Sequence, residues 1–595
     1  MKHPNIYTFL TSCVATNRER TVFYSWREDK WHGTSWADFE SEAFDFACAL
    51  KTFGFARQKA VCVLMGNNLQ WAVADIGTIF AGGVSVGIYP TSSVEQCQYI
   101  INHAEAEFVL VDTAECLQKI LAIQDELPAV KKILVLDEAL ADESRGVMSY
   151  RNFLQTGANN RQRFEPIIKA EAASASADDV AIMVYTSGTT GLPKGACLSH
   201  RYILNSAASV VETIGLRDSD TAFSYLPFCH VAERIAGFYT RLLAGMTTRF
   251  IEDITKLYSA MLEIKPTIFG SLPRFFEKIH ARIIADVEQD SADERNRFYQ
   301  ALEVGRQVSR LQQANQPVPE DLREQYAQAK PILSARVQTY TGGNIRMMTS
   351  GGAPLPLEIG EFFFAAGIPI LEAYGLTENV CVAFNRPDNP RFGTVGAAMV
   401  GCEIKIADDS EILVRSDMMF SGYYKEPEKT AEMFRDGWLL TGDLGALDKR
   451  GFLKITGRKK EIIVTSTGKN VAPLLLENML KEHPLISQAM VYGDGKSYLV
   501  ALITLNQIEV EEYARSRGIA YSTYAALTRN GEIRSLIEKQ VADVNARVSS
   551  TEAIKRFTIL ERDFSIEADE ITPTMKIKRK VIAGRFRGLL QSLYI

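Results

Sequence analysis

Apolar positions in residues 1–178 follow two periods in turn. Trp36 to Phe53 carries apolar side chains at helical spacing, whereas Ala60–Leu64, Phe108–Val111 and Lys132–Leu136 are apolar runs of strand length. This alternation predicts an α/β layer with parallel strands. No catalytic combination of residues occurs in this region, so we expect it to supply scaffold and pocket wall.

The longest apolar run extends from Trp71 to Tyr89 and ends at Pro90. Asp75 and four glycines interrupt it. These interruptions favour a buried helix followed by a buried strand over a membrane span.

A glycine- and hydroxyl-rich stretch, Tyr185–Gly195, follows the strand predicted for Asp179–Val184. Apolar residues at helical spacing come next, at Ile203, Ala207, Val210, Val211 and Ile214, so we expect the loop to join a strand to a helix. Glycines let backbone N–H groups face a ligand, Lys194 adds a charge, and a helix end behind the loop favours anions. The stretch therefore predicts a polyphosphate site, with a flexible surface loop as the alternative. Its predicted ligands are Thr186, Ser187, Gly188, Thr189, Thr190, Gly191 and Lys194.

This loop differs from the common P-loop, which requires Gly-Lys-Ser/Thr. Pro193 precedes Lys194 here, and Gly195 follows it.

Ile345–Pro354 is predicted to be a strand running into a glycine turn, and Pro369–Glu378 the next strand and its end. With the helical pattern between them they predict a β-α-β unit. Ligands of open parallel sheets gather at the carboxyl ends of strands. Gly351 and Gly352 allow the close approach of a flat ring, and Tyr374 offers a stacking face. Thr377 can bind a phosphate, and Glu378 can hold Mg²⁺ against it.

The remaining patterns predict three regions. Residues 280–340 are polar and helical, with one apolar stripe that favours packing over a partner-binding face. Short strands follow one another from Gly393 and predict a small β-barrel. Residues 461–595 predict an α+β domain with a hairpin around Gly493–Lys496.

Composition excludes several classes of protein. The net charge of −6 argues against a nucleic-acid binder, and the seven scattered histidines indicate no zinc site. Nine cysteines without a Cys-x-x-Cys pair, and no recognisable signal peptide, favour a reduced, cytoplasmic setting.

Motifs in this order resemble those of the adenylate-forming superfamily, which includes acyl-CoA synthetases, luciferases and peptide-synthetase adenylation domains. The resemblance extends over about residues 30–580. Thr267–Ile279, the helical insertion after it and the Met-Lys pair at Lys576 are similar to the long-chain fatty acyl-CoA synthetase branch. The fold implied is a large multi-lobed N-terminal domain, residues 1–459, of parallel α/β layers plus a small β-barrel, with a mobile α+β C-terminal domain, residues 460–595.

The resemblance also implies roles for single residues. His230 would line the carboxylate pocket, Asp443 would accept the ribose hydroxyls, Arg458 would contact the nucleotide and Lys576 would reach the reacting carboxylate. Asp443 is predicted to lie at a glycine-rich turn, and capping that turn is its alternative role. The nucleotide set is completed by Ala353 and Gly375; Lys460 is the implied hinge, and Gly468 and Lys469 would lie by the incoming thiol. Two residues depart from the family pattern, Thr467 and Leu440.

The reaction implied is activation of a long-chain fatty acid by ATP to acyl-AMP and pyrophosphate, with Mg²⁺ at Glu378, followed by transfer to coenzyme A. A close alternative is an acyl-AMP ligase that loads an acyl carrier protein. A distant one is a non-catalytic scaffold, which predicts eroded motifs.

The C-terminal segment carries six basic residues between Lys576 and Arg587, followed by a largely apolar stretch, Leu589–Ile595. A packed terminal helix is the favoured interpretation. The alternative is peripheral contact with anionic lipid at the inner membrane face.

Overall fold

A computed structural model describes residues 3–186, 192–466, 469–550, 552–572 and 576–595. The chain divides into two compact units, residues 1–404 with 414–439 and residues 405–413 with 440–595. The predicted domain boundary at residue 460 stays a prediction. No helix in the described ranges is long and apolar enough to cross a membrane.

The first unit contains an eight-stranded sheet whose central strands are parallel, as the alternating pattern predicts. The central strands are short and almost wholly apolar because helices cover both of their faces. In spatial order the strands are Gly422–Tyr423, Lys194–Ser199, Val180–Thr186, Val84–Ile88, Ala60–Leu64, Ala106–Val111, Lys132–Val135 and Val147–Ser149.

The apolar run from Trp71 forms a buried helix, Leu69–Phe80, and a buried strand, Val84–Ile88, as predicted. Its single acid, Asp75, lies in the core and pairs with Arg234, which explains how a carboxylate is tolerated there.

A second sheet of the first unit contains the predicted β-α-β unit. Its strands are Ile268–Ser271, Met347–Ser350, Ile370–Leu376, Asn379–Phe384 and Ala397–Ala398. The first three are parallel, and Ile370–Leu376 then turns back as a hairpin into Asn379–Phe384. A third sheet has the order Thr221–Ser224, Thr247–Phe250, Thr21–Arg27 and Lys30–Ser35.

Helices of the first unit cover these sheets. The predicted stripe in the insertion consists of Phe298, Ala301, Leu302, Val308 and Leu311. Its first four members are buried and Leu311 is half-buried, which confirms its packing role. The helices are Ile6–Asn17, Trp36–Thr52, Leu69–Phe80, Val94–His103, Ala114–Leu121, Tyr150–Asn159, Arg161–Ala173, His200–Ile214, Ala232–Tyr239, Thr240–Leu243, Leu257–Ile264, Pro273–Gln289, Ala292–Gln313, Glu320–Thr341, Leu357–Ala365 and Pro427–Ala431.

The β-rich stretch predicted from Gly393 is present. Its strands are Cys402–Ile406, Glu411–Ser416, Phe434–Arg435, Trp438–Leu447 and Leu453–Arg458. The division between the two units falls within this stretch.

The second unit has the predicted hairpin, Ile486–Tyr492 with Leu499–Leu505, and a parallel third strand, Ile554–Ile559. A short pair, Ile463–Val464 with Asn470–Val471, precedes it. Its helices are Pro473–Leu480, Gln507–Arg517, Tyr524–Thr528, Gly531–Ala546, Arg579–Arg585 and Arg587–Ser592. Apolar faces of the first four helices pack on the sheet and close the core.

Candidate functional site

The predicted phosphate loop joins two antiparallel strands, so the expectation of a strand-to-helix connection was wrong. Thr186 and Lys194 face each other in register, one on each strand. The short apolar run Ala196–Leu198 continues the sheet, and the helix starts only at His200, where the Ser199 hydroxyl caps it. The charge behind the loop is therefore that of Lys194, and the helix end is not adjacent to it. Ser187, Gly188, Thr189, Thr190 and Gly191 lie outside the described residues.

Tyr423 connects Lys194 with Glu378, and the motif analysis gave it no role. It lies on the short strand Gly422–Tyr423, which pairs with Ala196 and Cys197 next to Lys194. The Lys194 ammonium lies 4.7 Å from the centre of the Tyr423 ring. The Tyr423 hydroxyl donates a hydrogen bond to Glu378 Oε1. Burial and the neighbouring Glu378 carboxylate raise the pKa of Tyr423, so the hydroxyl remains a donor.

Thr377 and Glu378 form the tip of the Ile370–Phe384 hairpin, and other elements fix that tip. The Tyr202 hydroxyl donates to the Thr377 carbonyl at 3.0 Å and accepts from the Val380 amide at 3.1 Å. The Phe420 amide donates to the Glu378 carbonyl at 2.8 Å. The predicted phosphate and Mg²⁺ ligands therefore sit on a turn with little freedom.

The same hairpin requires a glycine at position 375. A Cβ there would lie 2.1 Å from the Val380 carbonyl oxygen, so the partner strand of the hairpin leaves no room for a side chain. The neighbouring Tyr374 is half-buried and paired with Ala383 in the hairpin.

A buried acid lies beneath the glycine turn that was predicted to allow the close approach of a flat ring. Gly352 has φ +80°, a conformation that favours glycine, and Ala353 after it is exposed. The Leu355 amide donates to Glu372 Oε2 at 3.1 Å. Burial raises the pKa of Glu372 to about 7, against a lowering effect of this hydrogen bond. Glu372 lies within the predicted strand Pro369–Glu378, and the sequence pattern indicated no role for it.

His230 lies directly before an unusually wide helix turn, Ala232–Tyr239, of the π type. His230 Nδ1 accepts from the Ala232 amide at 3.2 Å, and its carbonyl accepts from the Arg234 amide at 3.0 Å. Such widened turns are frequent at functional sites.

Two buried ion pairs anchor that wide turn. Arg234 donates to Asp75 and, at 2.5 Å, to the Ser85 hydroxyl, while the Tyr239 hydroxyl donates to Asp75 at 2.8 Å. Arg241 pairs with Glu233. His230 and the Gly351–Ala353 turn are thus held by separate sets of contacts.

In the second unit, Asp443 and Arg458 are brought together. Arg458 Nε donates to Asp443 Oδ1 at 2.8 Å. Asp443 is buried within the strand Trp438–Leu447, so its predicted position at a glycine-rich turn was wrong; only the preceding Gly442, at φ +70°, has a turn-like conformation. The strand continues because alternate side chains, such as Leu439 and Thr441, are buried on the same face.

The implied hinge, Lys460, and the residues implied to lie by the incoming thiol, Gly468 and Lys469, follow Arg458 in the sequence. Lys460 is in a single 3₁₀ turn, Lys459–Glu461. The Lys469 amide donates to the Thr465 hydroxyl at 3.2 Å, while Gly468 and Thr467 lie outside the described residues.

Lys576 is an exposed residue at the end of a loop whose base is closed. Its amide donates to the Thr572 hydroxyl at 3.1 Å, and its carbonyl accepts from the Thr572 amide at 2.8 Å. Ile571 and Ile577 form a bridge beneath them.

The donor set fits a magnesium ion that arrives with a nucleotide. Mg²⁺ is commonly held by one or two carboxylates together with substrate phosphates, and Glu378 supplies one such carboxylate. Within the described ranges, no cluster of three His, Cys, Asp or Glu side chains could bind a metal by itself.

Family models match both parts of the chain. The AMP-binding enzyme model matches residues 10–424, and the model of the AMP-binding enzyme C-terminal domain matches residues 460–595.

Curated relatives align over most of their length. Long-chain-fatty-acid–CoA ligase FadD15 of Mycobacterium tuberculosis is 33% identical over 100% of this chain and 97% of its own. Long-chain-fatty-acid–CoA ligase ACSBG2 of Homo sapiens is 32% identical over 95% of this chain and 88% of its own.

Solved structures share the fold. The anthranilate CoA ligase AuaEII in complex with anthranoyl-AMP has a TM-score of 0.72 at 20% identity and covers 98% of this chain and 97% of its own. ATP-bound MatB from Rhodopseudomonas palustris has a TM-score of 0.71 at 21% identity and covers 98% of this chain and 99% of its own.

Proposed function

Because the chain belongs to the AMP-binding enzyme family, we propose that it is a long-chain fatty acid–CoA ligase that forms AMP. The observation that carries the proposal is that Tyr423 contacts both Lys194 and Glu378. Its ring packs against the Lys194 ammonium and its hydroxyl bonds the Glu378 carboxylate, so a cation and a carboxylate lie on either side of it. That pairing suits a triphosphate with its bound Mg²⁺. The fatty-acid class is supported by full-length relatives that carry this activity in their names.

The two chemical steps explain why these residue types are needed. A carboxylate is a poor acyl donor because it is anionic and has no good leaving group. Its attack on the α-phosphorus of ATP forms the acyl–phosphate bond of acyl-AMP and releases pyrophosphate. Coenzyme A thiol then attacks the acyl carbon, and AMP leaves.

Each proposed residue has one task in this scheme. Lys194 and the hydroxyl-rich loop hold the phosphates, and Glu378 would hold Mg²⁺, which neutralises developing negative charge. Asp443 would accept the ribose hydroxyls, and Arg458, its ion-pair partner, would contact the nucleotide. Lys576 would offset the repulsion between the two reacting anions.

A cytoplasmic setting is part of this proposal. All nine cysteines are free, which fits a reducing compartment.

The test measures AMP release with palmitate, octanoate and acetate, each with and without coenzyme A. We expect multiple turnovers only with coenzyme A and the highest kcat/KM with palmitate, since each buried CH₂ contributes about 0.8 kcal/mol. Turnover that requires an acyl carrier protein would instead favour the acyl-AMP ligase. Preference for acetate would contradict the long-chain assignment.

A further inference from the structure

The position of Lys576 depends on the base of its loop. Thr572 and Lys576 exchange two hydrogen bonds, and Ile571 and Ile577 pair below them. Ile571 is buried against Ile582 and other apolar residues of the second unit. The residues just outside this bridge therefore support the backbone from which Lys576 extends.

Glu570 occupies that place and is completely buried. Its carboxylate accepts two hydrogen bonds from Arg562, both at 2.6 Å, one from Arg585 at 2.9 Å and one from the Ser565 amide at 3.2 Å. Its backbone carbonyl accepts from the Lys578 amide at 2.7 Å. The side chain has an exposed fraction of 0%.

The two arginines come from different elements. Arg562 follows the strand Ile554–Ile559, and Arg585 ends the helix Arg579–Arg585, which begins three residues after Lys576. Glu570 thus joins the sheet to the helix on either side of the lysine loop. Burial alone would raise the pKa of Glu570, but the Arg562 hydrogen bonds and the other partners hold it below its usual value.

A buried ion network of this kind is a poor device for stability alone, because well-packed apolar side chains often stabilise as much. It does fix geometry, since a carboxylate with four donors has one orientation. We propose that Glu570 is a positioning residue for Lys576, setting the loop base so that the lysine reaches the carboxylate–ATP transition state. This inference rests on the proposed role of Lys576.

The test is Glu570→Gln in the full-length chain, with each half-reaction measured in single turnovers. The amide keeps one acceptor oxygen and places an NH₂ donor where the other was. Arg562 and either Arg585 or the Ser565 amide therefore each lose a hydrogen bond, and the loop base should loosen. We expect acyl-AMP formation to fall about 100-fold, because small misplacements of a catalytic group have effects of that size. Conversion of supplied palmitoyl-AMP and coenzyme A to thioester should change less than about twofold, and Glu570→Asp should recover part of the lost adenylation because the half-exposed arginines can follow a shorter carboxylate.

Two further variants distinguish positioning from general weakening. Ile537→Ala removes a buried side chain from the helix Gly531–Ala546, in the same unit and outside the Lys576 loop. It should lower the melting temperature but affect both half-reactions equally. Arg585→Gln leaves the two Arg562 bonds in place and should give the same selective loss as Glu570→Gln at about a tenth of its size.

Lys576→Ala is run in parallel. If it loses adenylation while Glu570→Gln and Arg585→Gln keep it, the positioning role of Glu570 is refuted and the proposed role of Lys576 survives. If Lys576→Ala keeps adenylation, both are refuted. Equal loss of both half-reactions in Glu570→Gln, matching Ile537→Ala at the same loss of melting temperature, would show that Glu570 is structural only.

Discussion

Tyr423 serves two charged groups at once. Its ring face lies under the Lys194 ammonium, and its hydroxyl orients the Glu378 carboxylate. Partners that orient a metal ligand typically contribute a factor of 10–100 in metal affinity. The residue is therefore expected to influence both ATP and Mg²⁺ binding, through separate parts of the side chain.

Tyr423→Phe removes the hydroxyl and keeps the ring. We expect the Mg²⁺ concentration for half-maximal adenylation to rise about tenfold, with little change in KM for ATP at saturating Mg²⁺. Tyr423→Leu should in addition raise KM for ATP a few-fold, since a cation–π contact contributes about 0.5–1 kcal/mol. The matched control is Tyr424→Phe, whose ring lies against His103. An unchanged Mg²⁺ requirement in Tyr423→Phe would refute the orienting role.

The raised pKa of Glu372 should make the free energy of unfolding depend on pH. Its pKa is about 7 in the folded protein, above the ordinary value of 4.5, so the folded state holds a proton that the unfolded state has released. Stability is therefore lost as pH rises from about 4.5 to 7. Glu372→Gln keeps an acceptor for the Leu355 amide and has no charge to bury.

We expect Glu372→Gln to be stabilised relative to the wild type by about 3 kcal/mol more at pH 8 than at pH 4.5. Melting temperatures of both proteins across this range measure the difference. Values near pH 4.5 serve as the internal control, because both side chains are neutral in the folded state there. A difference that stays constant with pH would mean that folding does not raise the pKa of Glu372.

At the scale of elements, the phosphate loop is carried by a β-hairpin rather than by a strand and helix. The hairpin gives Lys194 a fixed register opposite Thr186 and brings Tyr423 alongside through the next strand. The helix that follows contributes at a distance from the loop, because its Tyr202 hydroxyl holds the Thr377–Glu378 turn. Two successive elements thus support the two halves of the same candidate site.

The C-terminal helices, Arg579–Arg585 and Arg587–Ser592, use much of their charge inside the protein. Lys578 pairs with Asp569, Arg579 with Glu477 and Glu461, and Arg585 with Glu570. Ile582 and Leu590 are buried in the core of the second unit. Three of the six basic residues of this segment are thereby held in ion pairs, which reduces the basic surface beside the exposed Leu589 and Ile595.

We therefore expect no salt-sensitive binding of the full-length chain to vesicles containing anionic phospholipid. Co-sedimentation at low and high salt measures this, with neutral vesicles as the control. A pellet that disappears at high salt, and in a Lys580→Gln/Arg587→Gln variant, would support the peripheral-membrane alternative.

For the whole molecule, the sequence was sufficient to predict those helices and strands whose apolar residues recur at helical or strand spacing. The parallel layers, the β-α-β unit and the C-terminal hairpin follow from runs such as Ala60–Leu64 and Leu499–Leu505, whose burial needs no distant information. Lys194–Ser199 was missed because a short apolar run before a helix reads equally as its first turn.

Contacts between distant segments could not be predicted in this way. Tyr423 meets Lys194 through strand pairing across more than 200 residues, and its hydroxyl reaches Glu378 across 45 residues. Glu570 meets Arg585 across 15 residues, through the packing of a loop base. Neither set of contacts produces a periodic pattern in the sequence. The motifs identified Glu378 and Lys576, but not the residues that hold them.

Lys576 and the phosphate loop belong to different compact units. Adenylation joins two anions, so a cation at the reacting carboxylate matters most in that transition state. Thiol attack on acyl-AMP has no such requirement, because the acyl group is already activated. We propose that the C-terminal domain turns about Lys460 between the two steps, so that Lys576 serves only the first.

Lys576→Ala should lower acyl-AMP formation from ATP by about 100- to 1000-fold, yet still convert supplied palmitoyl-AMP and coenzyme A to thioester. Lys576→Arg should restore little, since a planar guanidinium differs in shape from a point-like ammonium. Single-turnover measurements of each half-reaction provide the test, with Lys578→Ala as the neighbouring control. Equal loss in both half-reactions would mean that Lys576 is structural or that the domain does not turn. Full adenylation by Lys576→Ala, with loss in Lys578→Ala, would transfer the role to Lys578.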